Sequence, residues 1–592
     1  MHDSAKFYTH KLEQFSAEFS RLKARLKWFG WYRFLAFVFI FLPLAFFGFS
    51  WLSGVVGLAF FVLFLYLLKV NVKLEKRRNK AAVLKKLAEE ELAAFKHSFF
   101  HFSDGAEFQD AEHFYSYDLD LFGKGSLFQY LNRTATLGGK RKLAGWLTNP
   151  LKAEKEIKLR QDAVREMASL LDWRLDFLAE GKSFEETEQM NNEFRSWGGM
   201  NLELKNRGKI KWLISVVPVL TLAAIVPGLL GGTFFWFWSL VFVQWMFLYF
   251  FWKQITHYYK FFGRKSELLS KYKQLLHLIE NAEFQSDYLY HFQQKLKNPS
   301  AGQAFNRLKK LVMQFEYRNN LIVGMVLNSV ALWDIRCVYR LWNWHNQYQS
   351  ELANWLDSVA ETDALISLGN YACNHSANVF PDIVTDHFVF NAKDLGHPLL
   401  NPAKMVRNDL TIDGYSKVLI VTGANMAGKS TFLRTVGVNL ILAGIGAPVC
   451  ASEMQFTPID IYTNMRTTDS LLKDESYFFA ELKRIKTVLE HLQNGERYFV
   501  ILDEMLKGTN SIDKLNGSKE LIRKLVQLNA VAMIATHDLK LSEMQSEFPG
   551  QVANKCFEIR IENNEMVFDY KLSNGVTQTM NATFLMKKMG II

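Results

Sequence analysis

Two long stretches of this chain carry no charge at all. No Asp, Glu, Lys or Arg stands between Arg33 and Lys69, or between Lys211 and Lys253. The first reads FLAFVFIFLPLAFFGFSWLSGVVGLAFFVLFLYLL and the second WLISVVPVLTLAAIVPGLLGGTFFWFWSLVFVQWMFLYFFW. As one helix, either would be on the order of 50–60 Å long, against a hydrocarbon core of about 30 Å. Each is therefore read as two short spans folded into a hairpin. Turn residues sit near each midpoint, Gly48 to Gly54 in the first and Pro227 to Gly232 in the second. Trp28, Trp31, Tyr32 and Tyr66 flank the first, and Trp212, Tyr249 and Trp252 the second, as interfacial aromatics do. The competing reading is a pair of helical hairpins buried in a large soluble core. It fits less well, because buried helices rarely stay uncharged over such lengths.

Basic residues flank both stretches. Arg21, Lys23, Arg25 and Lys27 precede the first, and Lys69, Lys73, Lys76, Arg77 and Arg78 follow it. Lys205, Arg207, Lys209 and Lys211 precede the second, with Lys253, Arg264 and Lys265 after it. The turns are uncharged, so the expectation is an integral protein of the cytoplasmic membrane with all flanks and both termini cytoplasmic. A cleaved signal peptide is not expected, since basic residues follow the first apolar block where a cleavage site would be needed. Net charge is +11, from 70 Lys+Arg against 59 Asp+Glu. Nucleic acid and anionic lipid both attract such a surface. Some of this charge belongs to the membrane flanks, where lipid headgroups account for it. Disorder is excluded by 49% hydrophobic and 15% aromatic content. The four Cys (Cys337, Cys373, Cys450, Cys556) lie far apart without a CxxC pair, so no disulfide scaffold or zinc site is read.

Outside the apolar stretches, residues 71–100, 120–205 and 254–375 are mostly helical by period. From about residue 385 the pattern changes. KVLIVTG (417–423), YFVILDE (498–504) and AVAMIAT (530–536) are short Val/Ile-rich runs between helical stretches, the pattern of buried parallel strands. The expected architecture is an α/β P-loop NTPase domain at the C-terminus, preceded by an all-α core and two transmembrane hairpins. Its divisions are an amphipathic N-terminal helix (1–30), a first hairpin (31–70), linking helices (71–117), the first half of the helical core (118–211), a second hairpin (212–252), the second half of the core with a lever (253–384) and the ATPase domain (385–592).

The run Gly423-Ala-Asn-Met-Ala-Gly428-Lys429-Ser430-Thr431 fits G-x-x-x-x-G-K-[ST] between a strand and a helical run. Glycines let backbone N–H groups wrap phosphates, and the helix N-terminus adds a favourable dipole. Lys429 is expected to reach the β- and γ-phosphates of ATP and Ser430 to hold Mg²⁺. Val500-Ile501-Leu502-Asp503-Glu504 leads an apolar strand into two carboxylates. Asp503 is placed to bind Mg²⁺, and Glu504 to polarise the attacking water. Thr536-His537-Asp538 ends a third strand, which puts His537 at the same sheet edge.

These motifs, taken together, resemble the MutS family of DNA mismatch-repair ATPases. GANMAGKST, including Asn425 and Met426, is similar to that family's GPNMGGKST, and Ala427 lies in the same phosphate-binding run. DSLLKDESYFFAELKRI (469–485) resembles its signature segment, with Ser476 and Glu481 in the key places. LDEMLKGTNSID (502–513) and IATHDLKL (534–541) resemble its runs after the second and third strands. LNRTATLGGKRKLAGWLTNPL (131–151), IKLRQDAV (157–164), LGHPLL (395–400) and VRNDLTI (406–412) resemble segments of its helical core and of the approach to its ATPase. The resemblance implies a composite site in a dimer joined through its ATPase domains. Ser476 would act in trans on the partner's γ-phosphate, with Gly508, Thr509 and Asn510 at the interface. Where the family often stacks adenine on an aromatic ring, this sequence offers Met405 or Val406. The family's mismatch-reading domain, with its Phe-x-Glu wedge, is not expected, because a hairpin and linking helices occupy the region before 118. Phe184-Glu185-Glu186 fits that pattern by position alone.

The first functional expectation is a membrane-anchored ATPase of this family that binds mismatched or branched DNA. The second is an ATP-switched membrane scaffold with a protein partner. An ABC-type transporter is a weaker third, because no LSGGQ-like run occurs and the spans lack an ionisable residue to mark a substrate path.

Overall fold

The structure, a computed structural model, describes residues 2–199, 204, 207–263, 265–466, 477–506, 510–562 and 565–578. It begins with two long antiparallel helices, α1 (His2–Phe47) and α2 (Trp51–Phe95). Gly48 turns the chain between them at φ +59°. Ser50 then caps α2 reciprocally: the Ser53 backbone N–H donates to Ser50 Oγ, and the Ser50 N–H donates to Ser53 Oγ. The helices close on small residues, Ala36, Ser53 and Gly57. A Cβ on Gly57 would stand 3.1 Å from the Ile40 carbonyl oxygen. The remaining apolar side chains face outward, Phe49 97% exposed and Leu58 62%. The reading as hairpins buried in a soluble core therefore fails for this pair. The charged stretch after Lys69 does not start a new helix, since α2 runs unbroken to Phe95. Its Lys, Glu, Ala and Leu are all good helix formers, so the helix continues across the change in composition.

The second hairpin is α3 (Arg207–Ala223), a short turn of helix at Ile225–Leu229, and α4 (Phe235–Phe262), with Gly231 turning at φ +89°. Its outer side chains are also uncovered, with Phe242 72% exposed. Next come helices Ser266–Glu280, Asp287–Lys297 and Ala301–Glu316, then α5 (Leu321–Ala331) and α6 (Trp333–Asn374).

The long α6 organises the helical core, with helices Leu137–Thr148, Glu154–Ser169 and Ala301–Glu316 packed along it. The segment before Leu137 accounts for several residues of the run TATLGGK. Thr136 caps the helix by accepting the Gly139 N–H at 2.9 Å. Asp363 of α6 accepts in turn from the Ala135 and Thr136 N–H groups and from Thr136 Oγ1. A Cβ at Gly139 would stand 2.2 Å from Asp363 Oδ2, so only glycine lets the two helices meet there. Burial pushes the Asp363 carboxyl up to about 6, with the three donors pulling the other way.

The wedge-like run Phe184-Glu185-Glu186 is structural. The Glu186 carboxylate pairs with buried Lys271 at 2.7 Å, and Phe184 packs against the core.

Two sheets follow. The smaller has the order β1-β5-β2-β3, from β1 (Asp382–Ile383), β2 (Val389–Leu395), β3 (Asn408–Asp413) and β5 (Glu453–Phe456). The larger has the order β10-β9-β4-β8-β7-β6, from β4 (Lys417–Gly423), β6 (Asp460–Asn464), β7 (Tyr498–Asp503), β8 (Val531–Thr536), β9 (Val552–Glu562) and β10 (Glu565–Asn574). All its pairings are parallel except β9 with β10. Helix α7 (Lys429–Gly444) covers one face and α8 (Tyr477–Gln493) lies on the other. Leu419 and Val421 of β4 face the cluster shared with α7 and the helical core, while Val418 and Ile420 face the cluster with α8. Burial on both faces is why these strands read as unbroken apolar runs.

Asp118 and Asp120 tie this domain to the chain before the core. Asp118 accepts from the Met465 and Arg466 N–H groups. Asp120 pairs with Arg466 and with Arg434 of α7.

Candidate active site

β4, β8 and β7 are neighbours, so their C-terminal ends bring Gly423, Thr536 and Asp503 to one edge. That edge carries a cleft of about 420 Å³. The loop after β4 holds Met426 at φ +67° and Gly428 at φ +102°. Left-handed residues in such a loop turn successive N–H groups to one side, making a concavity for anions at the α7 N-terminus. Space also demands glycine: a Cβ at Gly423 would lie 2.9 Å from the Phe557 carbonyl oxygen, and one at Gly428 3.1 Å from the Tyr570 ring.

Lys429 is buried, and its ammonium donates to the carbonyls of Gly423 and Ala424 at 2.8 and 3.0 Å. Burial lowers its pKa, against the opposing pull of Glu504 and Asp503. Glu504 follows β7 at φ +56°, and its N–H donates to the Ala535 carbonyl. This turn aims its carboxylate at His537, whose Nε2 lies 2.6 Å from Glu504 Oε1. The His537 ring nitrogens also lie 3.3 and 3.4 Å from Lys429 Nζ. Three residues far apart in sequence are thus gathered at one point.

Asn425, Met426, Ala427, Gly428, Lys429, Ser430 and Thr431 all line the cleft, with Glu504 and His537. Ser430 offers a hydroxyl there, and Asp503 a carboxylate at the end of β7. Hard oxygen donors in that number suit Mg²⁺ shared with phosphate oxygens. No group of three or more His, Cys, Asp and Glu that could hold a metal alone occurs among the described residues.

Ser476, Gly508 and Thr509 lie outside the described residues. Asn510 caps helix Ser511–Gln527, its Oδ1 accepting the Asp513 N–H. Glu481 is buried on α8 and accepts the Leu506 N–H at 2.7 Å, so it holds the chain just beyond β7.

Of the two candidates for an adenine contact, Val406 lines the cleft, whereas the Met405 sulfur turns toward Cys450 Sγ at 3.9 Å. The sequence reading missed the aromatic wall. Tyr570 comes from β10, its ring stacked on Phe568 at 5.8 Å and its carbonyl accepting from Asn408 Nδ2. His397 lines the same side, with its imidazole pushed down to about 4 by burial and then by Arg434, hence neutral at pH 7. His397 stood in the quoted run LGHPLL without a role. Nothing in the sequence marked Tyr570, more than 140 residues after the loop it faces.

Known proteins share these segments. A family model described as MutS domain V matches residues 419–587, and one described as MutS domain III matches residues 116–369, a range that includes the second hairpin. The chain is 31% identical over 198 residues to the DNA mismatch repair protein MutS of Thermotoga petrophila, covering 33% of this chain and 25% of that protein. It is 32% identical over 238 residues to the protein of that name from Ehrlichia chaffeensis, covering 39% of this chain and 29% of that one. It is 28% identical over 285 residues to human MutS protein homolog 4, covering 46% of this chain and 28% of the relative. The chain thus spans under a third of the length of these curated relatives.

Proposed function

The chain belongs to the MutS family, and on that footing we propose that it is a membrane-anchored ATPase whose paired ATPase domains switch the binding of mismatched or branched DNA at the cytoplasmic face. The observation that carries the ATPase reading is the meeting of Lys429, Glu504 and His537 in one cleft at the phosphate-binding loop. ATP lies with its triphosphate in the loop 423–428. Lys429 exchanges the loop carbonyls for phosphate oxygens; Ser430 and Asp503 would hold Mg²⁺, which would supply charge neutralisation at those oxygens. Glu504, oriented by His537, polarises the attacking water. Ser476 of a second copy completes the site, so the working unit is a homodimer. The outward apolar faces of both hairpins and their basic flanks support the anchor in membrane lipid.

Hydrolysis by the purified chain, measured with homoduplex, mismatched and branched DNA over a salt series, tests the proposal. The expected result is stimulation by one of these DNAs with salt-sensitive binding. Turnover without any DNA response shifts the reading to an ATP-switched scaffold with a protein partner, for which the lipid-facing basic flanks already account for the charge. Glu504→Gln is expected to keep ATP binding and lower turnover by about 10²–10⁴-fold. Unchanged turnover in that variant removes Glu504 from its role.

A further inference from the structure

We propose that α5 is a third membrane element, one that enters the acyl layer beside the second hairpin without crossing it. The inference rests on the membrane reading of that hairpin. No charged residue stands between Arg318 and Asp334. The 11 residues of α5 span about 16 Å, half the thickness of a bilayer core, so the helix cannot cross. One face carries Gly324 and Asn328, both buried; the other carries Leu321 and Ile322, each 73% exposed, with Met325 and Val326 beside them. This uncovered strip continues the outer face of α4, which shows Phe242, Met246 and Phe250.

The polar groups on the buried face set the depth. Gln244 of α4 is fully buried and donates to the Ser329 carbonyl of α5 and to Thr221 Oγ1 of α3, both at 2.8 Å. Trp245 Nε1 donates to Ser329 Oγ at 3.0 Å. Gln244 stands nine residues before Lys253, so this knot lies about 13 Å inside the basic flank. Three helices tied together by buried side-chain hydrogen bonds at that depth is how helices associate in lipid. At the other end of α5, the Arg318 guanidinium lies over the rings of Trp252 and Tyr259, at 5.6 and 5.0 Å, and Tyr259 Oη donates to Asn319. Arg318 Nε also lies 3.6 Å from Asp334 Oδ2, so the charged groups flanking α5 on both sides meet beside the interfacial aromatics, where charge belongs.

The backbone break after α5 meets the same requirement. Irregular backbone survives at membrane depth only where protein buries it. Leu332, at φ +48°, is fully buried, the Asp334 N–H donates to Asn328 Oδ1, and α6 leaves at 80° to α5. An acyl layer is thus the occupant of the exposed strip. The consequence is mechanical: the bilayer grips the foot of α6, the helix whose far end carries Asp363 and Asn374.

The test places one nitroxide at a time on the full chain in phosphatidylglycerol/phosphatidylcholine vesicles, native cysteines replaced. Sites are Ile322→Cys and Val326→Cys on α5, Phe242→Cys on the hairpin and Gln303→Cys on the core, each chain first checked for parental thermal unfolding. The expected result is that 322 and 326 behave as 242 does, colliding more with oxygen than with a water-soluble nickel chelate, and that 303 shows the reverse. Water-like behaviour at 322 and 326 with a lipid-like 242 overturns the inference and leaves the hairpin reading standing. Water-like behaviour at all four sites overturns both. Labels at 322 and 326 shielded from both reagents place a protein, a second copy included, on the strip and overturn the assignment to lipid.

Discussion

Glu504 shows how one residue's backbone sets its chemistry. A non-glycine residue at φ +56° is strained, and here the turn points the carboxylate across the strand ends to His537 instead of along β7. We expect His537→Gln to weaken turnover less than Glu504→Gln does, with nucleotide binding kept, because His537 positions the carboxylate; single-turnover hydrolysis would check it. Histidines also govern acid sensitivity. His375, half-buried at the end of α6 with its ring nitrogens against Tyr130 Oη and the Tyr371 carbonyl, has its pKa pushed down to about 4 by desolvation, as does His397. A base whose folded pKa lies below its unfolded value adds stability above about 6.5, and this is lost as pH falls toward 4. Asp363, raised to about 6, runs the other way: its contribution is fully present below about 4 and is lost as pH rises from there to about 6. Comparing His375→Gln with the parent isolates one group. Between pH 7 and 5 the variant should lose less unfolding free energy, by up to about 2 kcal/mol, measured by denaturant titration.

At the scale of elements, the first hairpin is a rod clamped at its base. Glu91, near the end of α2, is buried and pairs with Arg133, and Asn374 of α6 donates to its other oxygen at 3.0 Å. Burial works against that charge, yet Arg133 holds the Glu91 carboxyl below its usual value. Tyr8 of α1 adds a bond to Asn370 at 2.9 Å. Glu91→Ala strands the Arg133 guanidinium in a closed site and should cost about 3–5 kcal/mol. The double variant with Arg133→Met should recover much of that loss. Hydrogen exchange at 370–375 separates local release of the rod from global unfolding: only the former leaves the sheet protected. Such a clamp suits the proposed anchor, since a loose joint would carry no strain from bilayer to core.

For the whole molecule, the composite site makes a prediction a single chain cannot fulfil. Mix two inactive chains, Lys429→Ala and Ser476→Ala. In the heterodimer, the chain lacking Ser476 still binds nucleotide and takes Ser476 from its partner, so one site in each mixed dimer is complete. Turnover in the mixture should exceed that of either variant alone; if it does not, Ser476 does not act in trans. Positive charge is also placed at this scale. Lys76 of α2, Lys273 and Lys309 come from three distant stretches, yet lie close enough that Lys273 and Lys76, after burial, depress the Lys309 pKa. Three positive charges from separate stretches of the chain are thus brought together by the fold.

Whatever depends on short-range order was legible in the sequence alone. Charge-free runs, a glycine loop between strand and helix, and carboxylates ending an apolar strand are local patterns, because periodicity and backbone freedom are local properties. They gave the hairpins, the parallel strands and the phosphate loop. Packing in three dimensions alone decided which distant groups meet: Tyr570 against the loop, Asp363 under Gly139, Glu91 with Arg133, and Gln244 with Ser329. Each is a contact across scores of residues or more, fixed by packing of the whole core, and no local pattern encodes its partner. The short α5 fell between the two. Its apolar run was visible, but only the buried polar knot on one face and the bare strip on the other show that it sits beside the hairpin.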